Sequence, residues 1–217
     1  MTPLVAAGAL DPQGPAAEAI ADLWWLMFAL GVAVFAVFGG LLAFALFRRR
    51  PPADETSGDG PSVRAWIVGG GVVMPVVVLA VVLVASVSTM RSLPNHAPEG
   101  ALVIEVVGHQ WWWEVRYPDQ GVTTTNELRL PVGRPVALRL TSADVIHSFW
   151  VPALGGKMDL LPDGVTTLVL QADEPGEHLS HCAEFCGLHH ATMRLTVVAE
   201  PAERFTAWLA RQEGGSG

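Results

Sequence analysis

Between Cys182 and Met193 the chain gathers three kinds of soft metal donor in one short run. It reads Cys182-Ala183-Glu184-Phe185-Cys186-Gly187-Leu188-His189-His190-Ala191-Thr192-Met193, and both cysteines of the protein lie in it. Copper is the metal that uses thiolate, imidazole and thioether together. Two cysteines four apart on a loop can bring both sulfurs to one metal or bridge two. His190 lies four beyond Cys186, and Met193 three beyond that. Other chemistries fit the same residues: a local disulfide, inert thiols, or a zinc site using His189 or His190. Zinc does not recruit methionine, so Met193 would then be plain core. Spacing favours copper and leaves these alternatives open. One compact pair is not the spread of cysteines that a disulfide framework needs.

A compact ligand loop needs a distant partner. His147, in Ser142-Ala143-Asp144-Val145-Ile146-His147-Ser148-Phe149-Trp150-Val151-Pro152, closes an apolar β segment, and strand ends converge at one end of a sandwich. A lone histidine there is ordinarily structural, but a loop one imidazole short favours a ligand. His96, His109, His178 and His181 are weaker candidates. His181 would face away from Cys182 if the strand persists.

The elements that carry this loop begin with two apolar runs. They make the chain of 217 residues 51% hydrophobic, with a mean hydropathy of +0.38, too apolar for an ordinary soluble domain. Leu23 to Phe47 carries no charge and is long enough to cross a bilayer. Trp24 and Trp25 sit where aromatics favour the headgroup level. Arg48-Arg49-Arg50 and Pro51-Pro52 end the run. A polar linker with Asp54, Glu55 and Asp59 leads to the second run, Trp66 to Val87, whose Gly69-Gly70-Gly71 and Pro75 are tolerated in membrane helices. Pro15 to Ile20 reads as a short helix before the first span. Met1 to Ala21 has no basic residue and so lacks the n-region of a signal peptide.

Arg48, Arg49, Arg50 and Arg64 place the loop between the spans in the cytoplasm and both termini outside. The expected organisation is an extracytoplasmic N-terminal segment (1–21) and a transmembrane hairpin (22–91), with spans near 23–47 and 66–88 joined by loop 48–65. A copper domain (92–200) and a C-terminal helix and tail (201–217) follow. Free thiols outside the cytoplasm tend to oxidise, and a bound metal protects them.

From Leu102 the pattern turns to β. Strands are expected at Leu102–Val107, Trp111–Tyr117, Glu127–Leu130, Val136–Thr141, Thr166–Gln171, Glu177–Ser180 and Arg194–Val198, with turns at Pro118–Gly121, Pro131–Gly133, Pro162–Gly164 and Glu174–Gly176. Short strands so spaced form a Greek-key sandwich or barrel. Pro201 to Arg211 reads as an amphipathic helix with Phe205, Trp208 and Leu209 on one side. Most of the net charge of −8 lies from Ser92 onward. That argues against nucleic acid as a partner and suits a basic protein, although an acidic surface also simply keeps a domain soluble.

The pattern Cys-x-Glu-x-Cys-Gly-x-x-His-x-x-Met, at Cys182, Glu184, Cys186, Gly187, His190 and Met193, resembles the binuclear copper (CuA) loop of cytochrome c oxidase subunit II. Asp144 to Pro152 resembles that family's first-histidine segment, and Gly108-His109-Gln110-Trp111-Trp112-Trp113 its aromatic segment. The resemblance covers nearly the whole chain. It implies a two-helix transmembrane hairpin followed by an all-β cupredoxin (Greek-key sandwich/barrel) domain.

It also implies roles. Cys182 and Cys186 would bridge two copper ions, and His147 and His190 would bind one each. Met193 would be a weak axial ligand, and the Glu184 carbonyl would serve the other copper. The Glu184 side chain would help hold Mg²⁺ against a haem-bearing subunit I. Trp111 would take electrons from cytochrome c, with Asp119, Asp144 and Asp159 as candidates for the acidic docking face. The implied setting is a proton-translocating respiratory oxidase in the inner membrane, in which this chain relays electrons and is not catalytic alone.

Three departures concern neighbouring positions. Val63 and Arg64 stand where the family often has a carboxylate near a proton route. Ser180-His181 replaces Gly-Gln, and Pro162-Asp163-Gly164 replaces Pro-Gly-Arg. A quinol oxidase subunit shares the architecture, but Cys182 and Cys186 argue against it. A nitric oxide reductase subunit with the same copper centre, and a membrane-anchored copper-delivery protein, are the alternatives.

Overall fold

The computed structural model describes residues 8, 10–48, 63–94 and 96–213. Most of the expected cytoplasmic loop, the start of the N-terminal segment and the tail after 213 lie outside the described residues. Contacts divide the chain into two units, one from Asp22 to Ser92 and one joining residues up to Ala21 with Leu93 onward.

Helix α1 runs unbroken from Pro15 to Phe47, so the expected short helix and first span are one element. The second apolar run forms α2 (Val63–Val68), a π turn (Gly69–Val73) and α3 (Met74–Ser92). The π turn closes with the Met74 N–H donating to Gly69 O. Pro75, one residue later, has no N–H to continue the ladder, and three glycines allow the wider turn. Both helices are long and apolar enough to cross a membrane. Phe35, Leu42, Phe44, Leu83 and Val84 are exposed on them, as lipid-facing side chains are.

Among the described residues the other unit is a two-layer β sandwich of ten strands: β1 (Leu102–His109), β2 (Trp112–Tyr117), β3 (Val122–Thr125), β4 (Glu127–Pro131), β5 (Val136–Ser142), β6 (His147–Trp150), β7 (Met158–Leu160), β8 (Thr166–Leu170), β9 (Gly176–Cys182) and β10 (Arg194–Glu200). One sheet has the order β3-β2-β1-β5-β8, the other β4-β10-β9-β6-β7. The β1–β5 and β4–β10 pairs are parallel and the rest antiparallel, so the chain crosses between layers in Greek-key fashion. Alternation along the strands fills the interface. Ile104, Trp113, Val115, Leu128, Leu138, Phe149, Leu160 and Val197 are all fully buried, and each large apolar side chain so placed contributes about 1.5–3 kcal/mol. The buried Tyr117 hydroxyl accepts from the Arg129 N–H at 2.7 Å and donates to Arg129 O at 2.9 Å. Helix α4 (Ala202–Glu213) caps this end with Phe205, Trp208 and Leu209 buried, as its amphipathic pattern predicts.

Strands β3, β6 and β7 were not expected. They are short, and two of them flank the site. His147 opens β6 rather than closing a strand, because Val145 and Ile146 are exposed in the preceding bend. Strand β2 starts at Trp112, which leaves Trp111 in the turn and frees it from the alternation that buries Trp113. Residues before the first span pack on the sandwich. The Gln13 N–H donates to Ala153 O at 2.7 Å and Gln13 O accepts from the Asp173 N–H at 3.0 Å. A Cβ on Gly14 would lie 2.2 Å from Gln171 O, so only glycine fits there.

Candidate metal centre

Four segments meet at one end of the sandwich: the β1–β2 turn, the start of β6, the end of β9 and the loop from Ala183 to Met193. Cys182 is the last residue of β9, on its inward face with His178 and Ser180. The loop then folds back, and the Cys182 N–H donates to Met193 O at 3.2 Å. A single 3-10 turn, His190–Thr192, brings Met193 into the core beside Cys186. Gly187, at φ 122°, lets the chain turn directly beneath Trp111, where a Cβ would stand 3.2 Å from the indole.

The donor atoms converge. Cys182 Sγ and Cys186 Sγ are 3.7 Å apart. His147 Nδ1 lies 3.8 Å from Cys182 Sγ, and His190 Nδ1 lies 3.6 Å from Cys186 Sγ. Met193 Sδ is 3.7 Å from Cys186 Sγ, and Glu184 O is 3.3 Å from Cys182 Sγ. The ligand atoms of His147, Cys182 and Cys186 all fall within 4.8 Å of one another. Cys182, Cys186, Met193 and His147 are buried, and His190 is half-buried at the edge. Two thiolates flanked by imidazoles, a thioether and a carbonyl form a donor set suited to copper. Zinc would leave the inward-turned Met193 sulfur without a role.

Electrostatics favours a cation here. Burial, the largest single influence, opposes charge on Cys182, but the hydrogen bonds it makes with His147, with the Ser148 and Glu184 backbone and with His190 together outweigh it and draw the thiol down to about 6. Cys186 is pushed up to about 12, by burial and by the neighbouring Cys182 sulfur. The metal-free pair therefore holds one negative charge, and metal cations would draw off the second proton. Burial opposes charge on His147 as well, yet its bonds to Cys182 and Asp144 raise its pKa above the ordinary value.

Of the residues expected at the site, His147, Cys182, Glu184, Cys186, His190 and Met193 come together with Trp111 beside them, whereas Asp119 lies apart, on the 3-10 turn Pro118–Gln120 near helix α4. Trp111 Nε1 donates to Cys186 O at 3.2 Å, and Trp111 stacks edge-on against exposed His189 with centroids 4.7 Å apart. The Glu184 carboxylate is held by Lys157 Nζ at 2.7 Å, and the same ammonium is 3.2 Å from Asp159. A magnesium ion would have to displace it. Asp144 is bonded to His147 and Asp159 to Lys157, so of the three candidate docking carboxylates neither of these two is free. His181 pairs across the sheet with Arg194 and Trp150.

Sequence reasoning missed three contributors. Gly108 lies under the His147 ring, where a Cβ would approach Cδ2 to 2.8 Å. Gln110 Nε2 donates to Cys186 O at 2.7 Å. Lys157 neutralises Glu184. Gly108 and Gln110 stood in the aromatic segment, where three tryptophans drew attention away from them.

Fold and site together define a membrane-anchored cupredoxin-like protein with a cysteine-histidine-methionine centre. Residues 120–200 match the family described as cytochrome c oxidase subunit II, periplasmic domain. The chain is 35% identical to cytochrome c oxidase subunit 2 of Alkalihalophilus pseudofirmus, over 93% of its own length and 60% of that protein's. It is 30% identical to quinol oxidase subunit 2 of Bacillus cereus, covering 92% of this chain and 71% of that one. The periplasmic domain of subunit II (CoxB) from Bradyrhizobium japonicum superposes with a TM-score of 0.53 at 28% identity, covering 56% of this chain and all of that domain. The chain belongs to the subunit II family of the haem-copper oxidases, which includes both cytochrome c and quinol oxidase members.

Proposed function

We propose that this chain is subunit II of a respiratory cytochrome c oxidase, taking electrons from cytochrome c and passing them to the haem of subunit I, where O₂ is reduced to water. The observation that carries the reading is the pair of cysteine sulfurs at 3.7 Å with two imidazole nitrogens, a thioether and a carbonyl around them. Cys182, Cys186, His147, His190, Met193 and the Glu184 carbonyl would hold two copper ions. When bound, such a centre supplies one-electron transfer with little ligand movement.

The protein's own residues do the rest. His147 and Cys182 sit on strands of a packed sandwich, and Cys186 is buried in the loop that follows, which resists rearrangement of the donors. Burial of Cys182, Cys186 and Met193 keeps water from the sulfurs. Trp111 and Gln110 bind the Cys186 carbonyl and place an indole at the outer edge of the loop, a position suited to receiving an electron. Glu184 offers an oxygen ligand for Mg²⁺ at the contact with subunit I. The hairpin anchors the chain in the inner membrane with the sandwich outside, on the positive-inside argument. The cysteines favour a cytochrome c donor over a quinol.

The test is single-turnover mixing of the copper-loaded full chain with a reduced c-type cytochrome, followed by a copper chelator. The proposal expects oxidation of the cytochrome in step with copper reduction, and slow loss of copper to the chelator. Rapid release of copper without electron uptake would support copper delivery instead and sink the proposal.

A further inference from the structure

Asp144 does not sit free on the acidic face. Its Oδ1 is 2.8 Å from His147 Nε2 and accepts from the Val145 N–H at 2.6 Å. Its Oδ2 accepts from the backbone N–H of Gln110 at 2.7 Å. The turn that presents it is held separately, by Asp144 N–H donating to Ser142 Oγ at 3.2 Å and Ala143 N–H donating to Gly108 O at 2.9 Å.

An ionised carboxylate only accepts, so the proton of His147 must lie on Nε2. That leaves Nδ1, the nitrogen turned toward Cys182, as the atom that can bind a metal. The His147 ring is fully buried, and Gly108 and Trp113 pack against it. The second oxygen reaches the other side of the site. Gln110 is followed directly by Trp111, and both side chains donate to the Cys186 carbonyl. One carboxylate thus ties a ligand on β6 to the segment carrying the indole, across 34 residues of sequence.

We propose that Asp144 is a positioning residue of the metal centre, setting His147 with Nδ1 toward the metal and holding Gln110 and Trp111 in place against the same loop. It touches no metal itself. It acts through the His147 ring, whose donor strength a hydrogen-bonded carboxylate increases, and through one backbone amide. This inference rests on the copper reading given under Proposed function.

The experiment uses the full chain in detergent and compares the parent with Asp144→Asn, Asp144→Ala and Asp144→Glu. Asp163→Asn, at an exposed turn, serves as control. In copper-free, reduced protein the His147 Nε2–H should be protected from solvent exchange. Asp144→Ala should speed that exchange at least tenfold. In copper-loaded protein, Asp144→Asn removes the negative charge that favours the oxidised centre, so the reduction potential should rise. Asp144→Glu should bring it back toward the parent value, and the control should change neither quantity. Loss of copper from Asp144→Ala with the fold intact by circular dichroism would also support the role. Unchanged exchange and potential in both Asp144→Asn and Asp144→Ala would overturn it. A parent that binds no copper would defeat the copper reading, while the copper-free exchange measurement would still decide whether Asp144 holds His147. No cytochrome c is present in either measurement, so a mere docking role for Asp144 would leave both readouts unmoved.

Discussion

The Trp111 indole donates its N–H to the carbonyl oxygen of Cys186 at 3.2 Å. The half-exposed ring is thereby one hydrogen bond from the backbone of a cysteine whose sulfur lies in the buried centre. Gln110 shares the same acceptor at 2.7 Å, and Gly187 leaves room for the ring. Trp111→Phe keeps an aromatic ring but loses this bond and the larger π system. Electron uptake from reduced cytochrome c should slow at least tenfold while the visible copper spectrum stays that of the parent. Stopped-flow mixing measures the rate, and an unchanged rate would remove Trp111 from the route.

Gly108 and His147 are in closest approach, with no space for a Cβ between backbone and ring. In Gly108→Ala the methyl must push the imidazole or the strand aside. Overpacking of this kind costs about 1–3 kcal/mol. Chemical denaturation of the copper-free chain should show that loss, and copper affinity should fall with it because His147 is displaced. A variant as stable as the parent, with equal affinity, would contradict the packing seen here.

His178 is buried on the inward face of β9, and neither ring nitrogen has a hydrogen-bond partner among the described residues. Burial lowers its pKa below the ordinary histidine value. The unfolded chain then binds a proton more readily than the folded one, so His178 makes the fold less stable as pH falls from about 6.5 toward its folded pKa. Above about pH 6.5 the effect is absent. His178→Phe removes the titratable group and keeps a flat aromatic ring in its place. The stability of the variant relative to the parent should therefore increase as pH drops below about 6.5. Urea titrations of the copper-free chain across that range measure it, and a difference independent of pH would refute the account.

How much of this was legible beforehand follows from where the contacts lie. The loop donors stand within twelve residues, so their types and spacing announced a metal site. His147 could be picked out because the loop lacked an imidazole. The positions that hold these donors were not visible in the same way. Asp144 meets Gln110 across 34 residues and Gln110 meets Cys186 across 76, and no local pattern encodes such pairings. Strand β6 was hidden because Val145 and Ile146, apolar and β-branched, suggested a strand before His147 whereas they lie exposed in a bend. The docking of Gln13 on the sandwich runs through backbone groups, which leave no trace in side-chain type. Trp111 looked like part of a strand because β2 begins only one residue later.

On the proposed reading, Cys182 and Cys186, with His147, His190, Met193 and the Glu184 carbonyl, would hold two copper ions that share one unpaired electron. The most direct measurement is the electron paramagnetic resonance spectrum of the copper-loaded full chain, beside that of Cys186→Ser. An electron shared equally by two copper nuclei should give a seven-line pattern in the parent, and removing the Cys186 sulfur should abolish it. A four-line pattern in the parent, the mark of a single copper, or no bound copper at all, would contradict the account.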